Sequence, residues 1–363
     1  MKILQITNSL LSGGAEKLVV ETSLLFKKKS TSVDILLLNG IDSPLKNKIE
    51  ENQEIEIIAL EQGNIYNPKY ILRLKKHIKN YDLIHVHLFP SIYWVAIASI
   101  LNRNKIPLIM TEHNSSNRRR RWFLFKILDR ILYKKYHSII TISDAVDKNL
   151  RHHLGKGFKN LKQIHNGIPL QAYNNAQAYK KSELGVEESD HLIIQVASFT
   201  KQKDQNTLIK SMSHVPESVK LILVGDGPLK VHSIKLTQEL QLEDRVIFLG
   251  IRSDVPKLLK SVDLVVLSSH FEGLSLSSIE GMASGKPFIA SNVPGLTEVV
   301  KDAGVLFENG NFNQLAYIIK QLLSDSPYYQ LVAKACLERS KQFSIDIMVD
   351  KYLSVYRSAL EKE

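Results

Sequence analysis

With 363 residues, 44% of them apolar and 23% charged, the chain is long enough for two soluble domains that each bury a core. Its one cysteine, Cys336, excludes an intramolecular disulfide framework and a cysteine-based zinc site, and it points to a reducing, cytosolic setting. The net charge of +11 is uneven, since residues 1–168 hold 27 Lys and Arg against 14 Asp and Glu while the remainder holds 21 against 23. The first half is therefore the one that attracts an anionic partner.

In chain order, residues 2–7 predict a first strand. Asn8 to Glu16 form a turn with the paired glycines Gly13 and Gly14, and a helix runs on to about residue 28. Polar Thr7 and Asn8 arrive before an apolar leader region could form, so no secretory signal is expected. Glycines in such a βα turn let backbone approach a ligand closely, although a plain turn has the same composition. Further strands are expected at 32–38, 54–60, 83–86, 108–111 and 138–142. The longest apolar run, 92–101, is too short for a bilayer span of about 20 residues. His85 and His87 share one face of a strand end, but no third ligand stands nearby, so a structural or surface role is favoured over a metal. His113 closes the next strand, where it suits either a polar contact to a substrate or a structural bond.

The segment Arg118, Arg119, Arg120, Arg121, Trp122, Phe123 then opens a helix that is apolar around much of its circumference and basic again at Lys134 and Lys135. Basic flanks around Trp, Phe and Leu are expected of a helix lying on an anionic membrane surface. A core-packed helix with solvated arginines is the plainer alternative. Nucleic acid is not expected, because aromatic stacking platforms are not interleaved with the arginines.

A short strand ending in an Asn-Gly turn within 163–169 and a polar stretch after it place a domain boundary between residues 168 and 169. The alternation then restarts, with strands expected at 191–197, 220–225, 246–249, 264–267 and 288–290 and helices at 205–212, 229–240 and 255–260. Lys203 lies in the loop after the first of these strands, and Gly225 to Pro228 make a tight turn after the second. Glu272 lies in the loop after 264–267. Glu280 falls about two turns farther, at 1.5 Å per residue, in a helix whose first amides, from Gly273 onward, favour an anion. The pair reads either as a grip on a polar ligand at the carboxyl end of a parallel sheet or as a cap and a solvated position.

Taken together, Ser198 to Lys203, Leu223 to Pro228, Arg245 to Gly250, the Glu272 and Glu280 pair and Asn292 to Glu298 resemble the retaining, nucleotide-sugar-dependent glycosyltransferases of family 4. The resemblance extends to Gly13-Gly-Ala-Glu16, His85-Val-His87, Thr141-Ile-Ser143 and Asn166-Gly167, so it covers essentially the whole chain. It implies an α/β fold of GT-B type. Residues 1–168 would form an acceptor-binding Rossmann-like domain joined by the returning helix 345–363, and 169–344 a nucleotide-sugar-binding one. It assigns Glu280 to the ribose and Glu272, with the amides of Gly273, Leu274, Ser275 and Leu276, to the donor sugar and phosphate. Lys203 would hold the diphosphate, Gly13 and Gly14 would approach it, His113 would contact the transferred sugar, and Gly250 and Ile251 would meet the base. The family often has an arginine where Ser198 stands, which leaves Lys203 as the main cation. The implied reaction moves a sugar, UDP-linked, to a lipid-linked or surface-polysaccharide precursor, with domain closure completing the site, at the inner face of the plasma membrane. Because no Asp-X-Asp motif sits at a strand end, neither a metal nor another cofactor is expected. A nucleotide-sugar 2-epimerase of the same architecture and a non-catalytic nucleotide-sugar-binding protein remain as alternatives.

Overall fold

A computed structural model describes residues 1–11, 13–51, 54–103, 105–114, 118–155 and 157–361; the side chains of Arg118 and Arg121 also lie outside the described residues. The chain forms two compact units, Met1–Asn166 with Ile345–Glu363, and Gly167–Ser344.

In the first unit β1 (Lys2–Thr7), β2 (Ser32–Asn39), β3 (Ile57–Glu61), β4 (Leu83–His87), β5 (Leu108–Glu112), β6 (Ser138–Thr141) and β7 (Leu161–Gln163) form one parallel sheet in the order β3-β2-β1-β4-β5-β6-β7. Helices cover both faces, so central strands read as nearly continuous apolar runs, with Ile3, Leu4, Ile6, Ile84 and Val86 buried completely. Buried polar side chains lie within those runs, among them Gln5 on β1 and His85 and His87 on β4. The final helix, Ile345–Leu360, belongs to this unit. Its apolar positions Ile345, Met348, Val349, Tyr352 and Tyr356 recur at helical spacing, and both tyrosines pack on Phe26, with ring centroids 6.5 and 5.5 Å away.

In the second unit β8 (His191–Val196), β9 (Val219–Val224), β10 (Val246–Gly250), β11 (Leu264–Leu267), β12 (Phe288–Ser291) and β13 (Val305–Phe307) pair in the order β10-β9-β8-β11-β12-β13, again all parallel. Short β13 escapes sequence reading because three residues give too little pattern. The strand expected within 163–169 lies earlier, at Leu161–Gln163, on the edge of the first sheet.

Each strand order reverses once, between β1 and β4 and between β8 and β11. Chains diverge to opposite sides there, and open α/β sheets bind ligands at that crevice beyond the strands' carboxyl ends. The loop after β11 leads from this point into the helix Leu276–Ala283. Gly281 lets that helix lie close to the sheet, since a Cβ there would stand 2.6 Å from the Phe288 ring and 2.9 Å from a Val265 methyl. Gly281→Ala should therefore overpack this layer and cost about 1–3 kcal/mol. A fall in the urea midpoint of the second unit would report it, whereas an unchanged midpoint would contradict the close packing.

Candidate functional site

At the switch point of the second unit the loop after β8 runs beside the loop after β11, tied by an antiparallel bridge between Lys203 and Ser269. Glu272, 6% exposed, is held by three side chains from these loops. Its Oε1 accepts from Lys203 Nζ and from Ser269 Oγ, the latter at 2.8 Å, and its Oε2 accepts from Gln202 Nε2 at 3.0 Å. Such partners offset the cost of burying a carboxylate. Glu272 therefore does not cap the helix that follows. The N-cap is Ser275, whose side chain makes no cap bond; the Ser278 N–H donates to the Ser275 carbonyl at 3.2 Å, and the first-turn amides ahead of it are the ones left to a ligand or to water.

Glu280 is 5% exposed, so it is not the solvated helical position of the plainer reading. The helix begins at Leu276, which places Glu280 just past its first turn; the two-turn offset holds only when reckoned from Glu272. Gly295, at φ +87°, carries the chain beneath this loop, where any side chain would overlap the carbonyl oxygens of Glu272 and Gly273. Gly227 works similarly one loop away, for a Cβ would lie 2.5 Å from the Phe199 carbonyl oxygen. The Gly225 N–H donates to the Gly250 carbonyl at 2.7 Å, which aligns the loops after β9 and β10, and Ile251 beside it is 74% exposed.

His113, Gly13 and Gly14 belong to the other unit. Gly13 is the N-cap of the helix Gly14–Lys28, again without a side-chain cap, beyond the carboxyl end of β1. His113 is partly buried after β5 and ends a polar line through the sheet. Gln5 Nε2 donates to Ser23 Oγ at 2.9 Å, which turns Gln5 Oε1 toward His87 Nε2, also 2.9 Å away. An amide oxygen can only accept, so His87 carries its proton on Nε2 and offers an Nδ1 lone pair to His113 Nε2 at 3.1 Å. His113 in turn keeps its proton on Nε2 and presents Nδ1 as an acceptor. His85 lies alongside, between the Tyr356 hydroxyl at 2.6 Å and Thr111 Oγ1 at 2.8 Å.

Arg119 and Arg120, expected to face a membrane, turn inward instead. Arg119 lies 4.1 Å from the Phe89 ring centroid and 4.9 Å from that of Tyr93, donates to the Tyr133 hydroxyl at 2.8 Å and stands 3.6 Å from Asp129. Arg120 pairs with Glu112 at the end of β5. Asp129, on the helix Phe123–Tyr133, is fully buried and also meets the Tyr93 hydroxyl and, at 2.8 Å, His153 Nε2. Carboxylates buried this deeply draw in cations and donors, because an unpaired buried charge is far costlier. Trp122 and Phe123 point outward, 69% and 73% exposed.

Gln202, Ser269 and Gln5 are site-building residues that sequence reasoning missed. Of the three, Gln5 carried a signal, as an amide inside an otherwise apolar run.

The profile of the family described as Glycosyltransferase Family 4 matches residues 12–172, and that of Glycosyl transferases group 1 matches residues 177–339. The chain belongs to the GT-B glycosyltransferases. Over 339 residues this glycosyltransferase is 28% identical to N-acetyl-alpha-D-glucosaminyl L-malate synthase of Bacillus anthracis, with 87% of each chain covered. Over 371 residues it is 25% identical to the UDP-Gal:alpha-D-GlcNAc-diphosphoundecaprenol alpha-1,3-galactosyltransferase of Escherichia coli, covering 96% of this chain and 94% of that one. Among solved structures, Anabaena Alr3699/HepE in complex with UDP and glucose superposes with a TM-score of 0.84 at 23% identity, over 99% of this glycosyltransferase and all of that chain. At that identity the likeness is one of fold.

Burial holds the His85 ring down at about 3 and the His113 ring at about 4, and it pushes His87 well below 6.5. Below about 6.5 the unfolded chain takes up protons that these folded rings refuse, so stability rises with pH across the window from 4 to 6.5 and is lost as pH falls through it. The glycosyltransferase should accordingly show a lower thermal midpoint at pH 5 than at pH 7, with a shallower dependence in His113→Gln. Equal slopes in both proteins would show that His113 is not held neutral.

Proposed function

We propose that this glycosyltransferase moves a sugar from a UDP-linked donor, with retention at the anomeric carbon, to a lipid-linked or surface-polysaccharide precursor at the inner face of the plasma membrane. The observation that carries the donor assignment is the buried Lys203–Glu272 pair at the switch point of the second unit, beside an uncapped helix N-terminus. A nucleotide diphosphate fits that combination, since amides and a lysine neutralise phosphate while carboxylates take hydroxyl groups.

In the proposed reaction the bond from the anomeric carbon to the diphosphate oxygen breaks, and its electron pair leaves with the diphosphate. The acceptor hydroxyl adds to the same face, and its proton passes to the departing phosphate oxygen. Lys203 and the first-turn amides of Leu276–Ala283 stabilise the charge that grows on the leaving group. Glu272 has both oxygens engaged by Lys203, Ser269 and Gln202, an arrangement suited to orienting a hydroxyl group rather than to attacking carbon. Glu280 is assigned to the ribose. His113 is assigned to the transferred sugar, accepting at Nδ1 the hydrogen bond for which its tautomer is set. The reading uses no resident metal, Lys203 being the cation at the diphosphate.

UDP in one neighbouring structure and a diphosphoundecaprenol acceptor in the name of one relative support the donor and acceptor classes. For the membrane, the support is the outer face of Phe123–Tyr133, where Leu124 and Ile131 are 76% and 56% exposed. Docked on lipid, that face is an interfacial helix.

Transfer from UDP-sugar to a lipid-linked acceptor should fall about 10²-fold or more in kcat/KM in both Lys203→Ala and Glu280→Ala, the scale of losing one charge-stabilising group. Unchanged turnover in both would sink the site assignment. Replacing Trp122 and Leu124 by Ser should weaken binding to anionic vesicles at least about tenfold, since each buried apolar side chain contributes about 1.5–3 kcal/mol. Undiminished binding would remove the membrane from the proposal.

A further inference from the structure

The outer stripe of Phe123–Tyr133 runs through Leu124, Ile127, Leu128 and Ile131, and the next positions in that helical series are Lys134 and Lys135. They stay in a helical turn, for the Lys135 N–H donates to the Leu132 carbonyl at 3.0 Å and that of Tyr136 to Tyr133 at 3.2 Å. Both lysines line a cavity of about 530 Å³, together with Arg103, Lys105, His137 and, on its wall, Ile100. Among the described residues the lining contains no Asp or Glu. Arg103, Lys105, Lys134 and Lys135 are all exposed, and none is ion-paired with a described residue.

This cavity is not part of the site already described. Leu108, which opens β5, lines it, and His137 precedes β6, so it sits at the amino-terminal edge of the first sheet, while His87 and His113 stand at the carboxyl edge. The two helices that supply its cations each end in exposed apolar residues. Ile131 ends the stripe one turn before Lys134 and Lys135, and Ile100 and Leu101, 40% and 52% exposed, lie near the end of the helix Ser91–Asn102, just before Arg103. Four cations that share one cavity with no counter-charge among the described residues repel one another, and an anion relieves that repulsion more strongly in a concave site than on an open surface.

We propose that this cavity is a headgroup site for an anionic glycerophospholipid. It would seat the phosphodiester among Arg103, Lys105, Lys134 and Lys135 while the acyl chains remain in the layer that the stripe enters. The inference rests on the membrane reading and deepens it: the apolar stripe supplies partitioning, and the cavity supplies selectivity for charge and fixes which end of the helix lies at the headgroups. Lipid is favoured over a free phosphate because the cations stand where the apolar stripe stops, at the depth expected of headgroups.

The test is co-sedimentation of the full chain with phosphatidylcholine vesicles and with phosphatidylcholine vesicles containing phosphatidylglycerol. The wild type should prefer the anionic vesicles. Arg103→Gln/Lys134→Gln should lose about 30-fold of that preference, about fivefold per charge removed, with binding to neutral vesicles and the thermal midpoint unchanged. Lys28→Gln/Lys148→Gln, which removes two exposed charges from the helices Gly14–Lys28 and Asp144–Leu154, neither of which lines the cavity, should lose much less. Equal losses in the two double variants would overturn the site in favour of general surface charge. A rise in the wild-type thermal midpoint with inorganic phosphate, absent in Arg103→Gln/Lys134→Gln, combined with an unchanged vesicle preference, would overturn the lipid in favour of a soluble anion. If Trp122→Ser/Leu124→Ser releases the protein from every vesicle while the Arg103 and Lys134 pair has no effect, the headgroup site fails and the docking reading stands. A wild type that binds neither kind of vesicle ends both.

Discussion

A buried carboxylate must find partners, and Glu272 finds them only because two loops from distant parts of the second unit lie side by side. Ser269 and Gln202 hold its oxygens, Lys203 supplies the counter-charge, and the bridge between Lys203 and Ser269 keeps the loops in register. The order β10-β9-β8-β11-β12-β13 places β8 beside β11, so their carboxyl-end loops become neighbours. Gly295 then lets the segment after β12 come up beneath Glu272, where a side chain would force the loop away. Site and sheet order are thus one constraint seen at two scales.

The first unit solves the same problem with neutral groups. Gln5, His87 and His113 make a line of hydrogen bonds in which each donor is determined by the one before, starting from an amide oriented by Ser23. Burial keeps the imidazoles uncharged, so the line costs no buried charge and presents a defined acceptor at its end. Tyr356 of the last helix bonds His85 in the same layer, and with Tyr352 it packs on Phe26. The chain's final helix therefore acts as part of the first unit's interior.

The helix Phe123–Tyr133 is apolar on both faces. Its inner face buries Leu132 and Tyr133 in the core beside Asp129, to which Tyr93, His153 and Arg119 all turn, and its outer face carries Leu124, Ile127 and Ile131. An apolar outer face is a costly arrangement in water alone. It becomes favourable if lipid covers the outer face.

The sequence by itself determined the α/β alternation, the parallel sheets and the place of Glu272 in a strand-end loop, because these follow from local periodicity and from turn residues, which act within a few positions. It also marked the glycines and the basic, aromatic helix. It did not reveal that Arg119 and Arg120 point inward, that Gln202 and Ser269 hold Glu272, or that Gln5 orients His87. Those pairings join residues separated by 3 to 82 positions, and the choice among possible partners is made only when strand order sets which loops and faces meet. A composition rich in arginine shows that cations are present; where each one points depends on which carboxylate the fold has buried beside it.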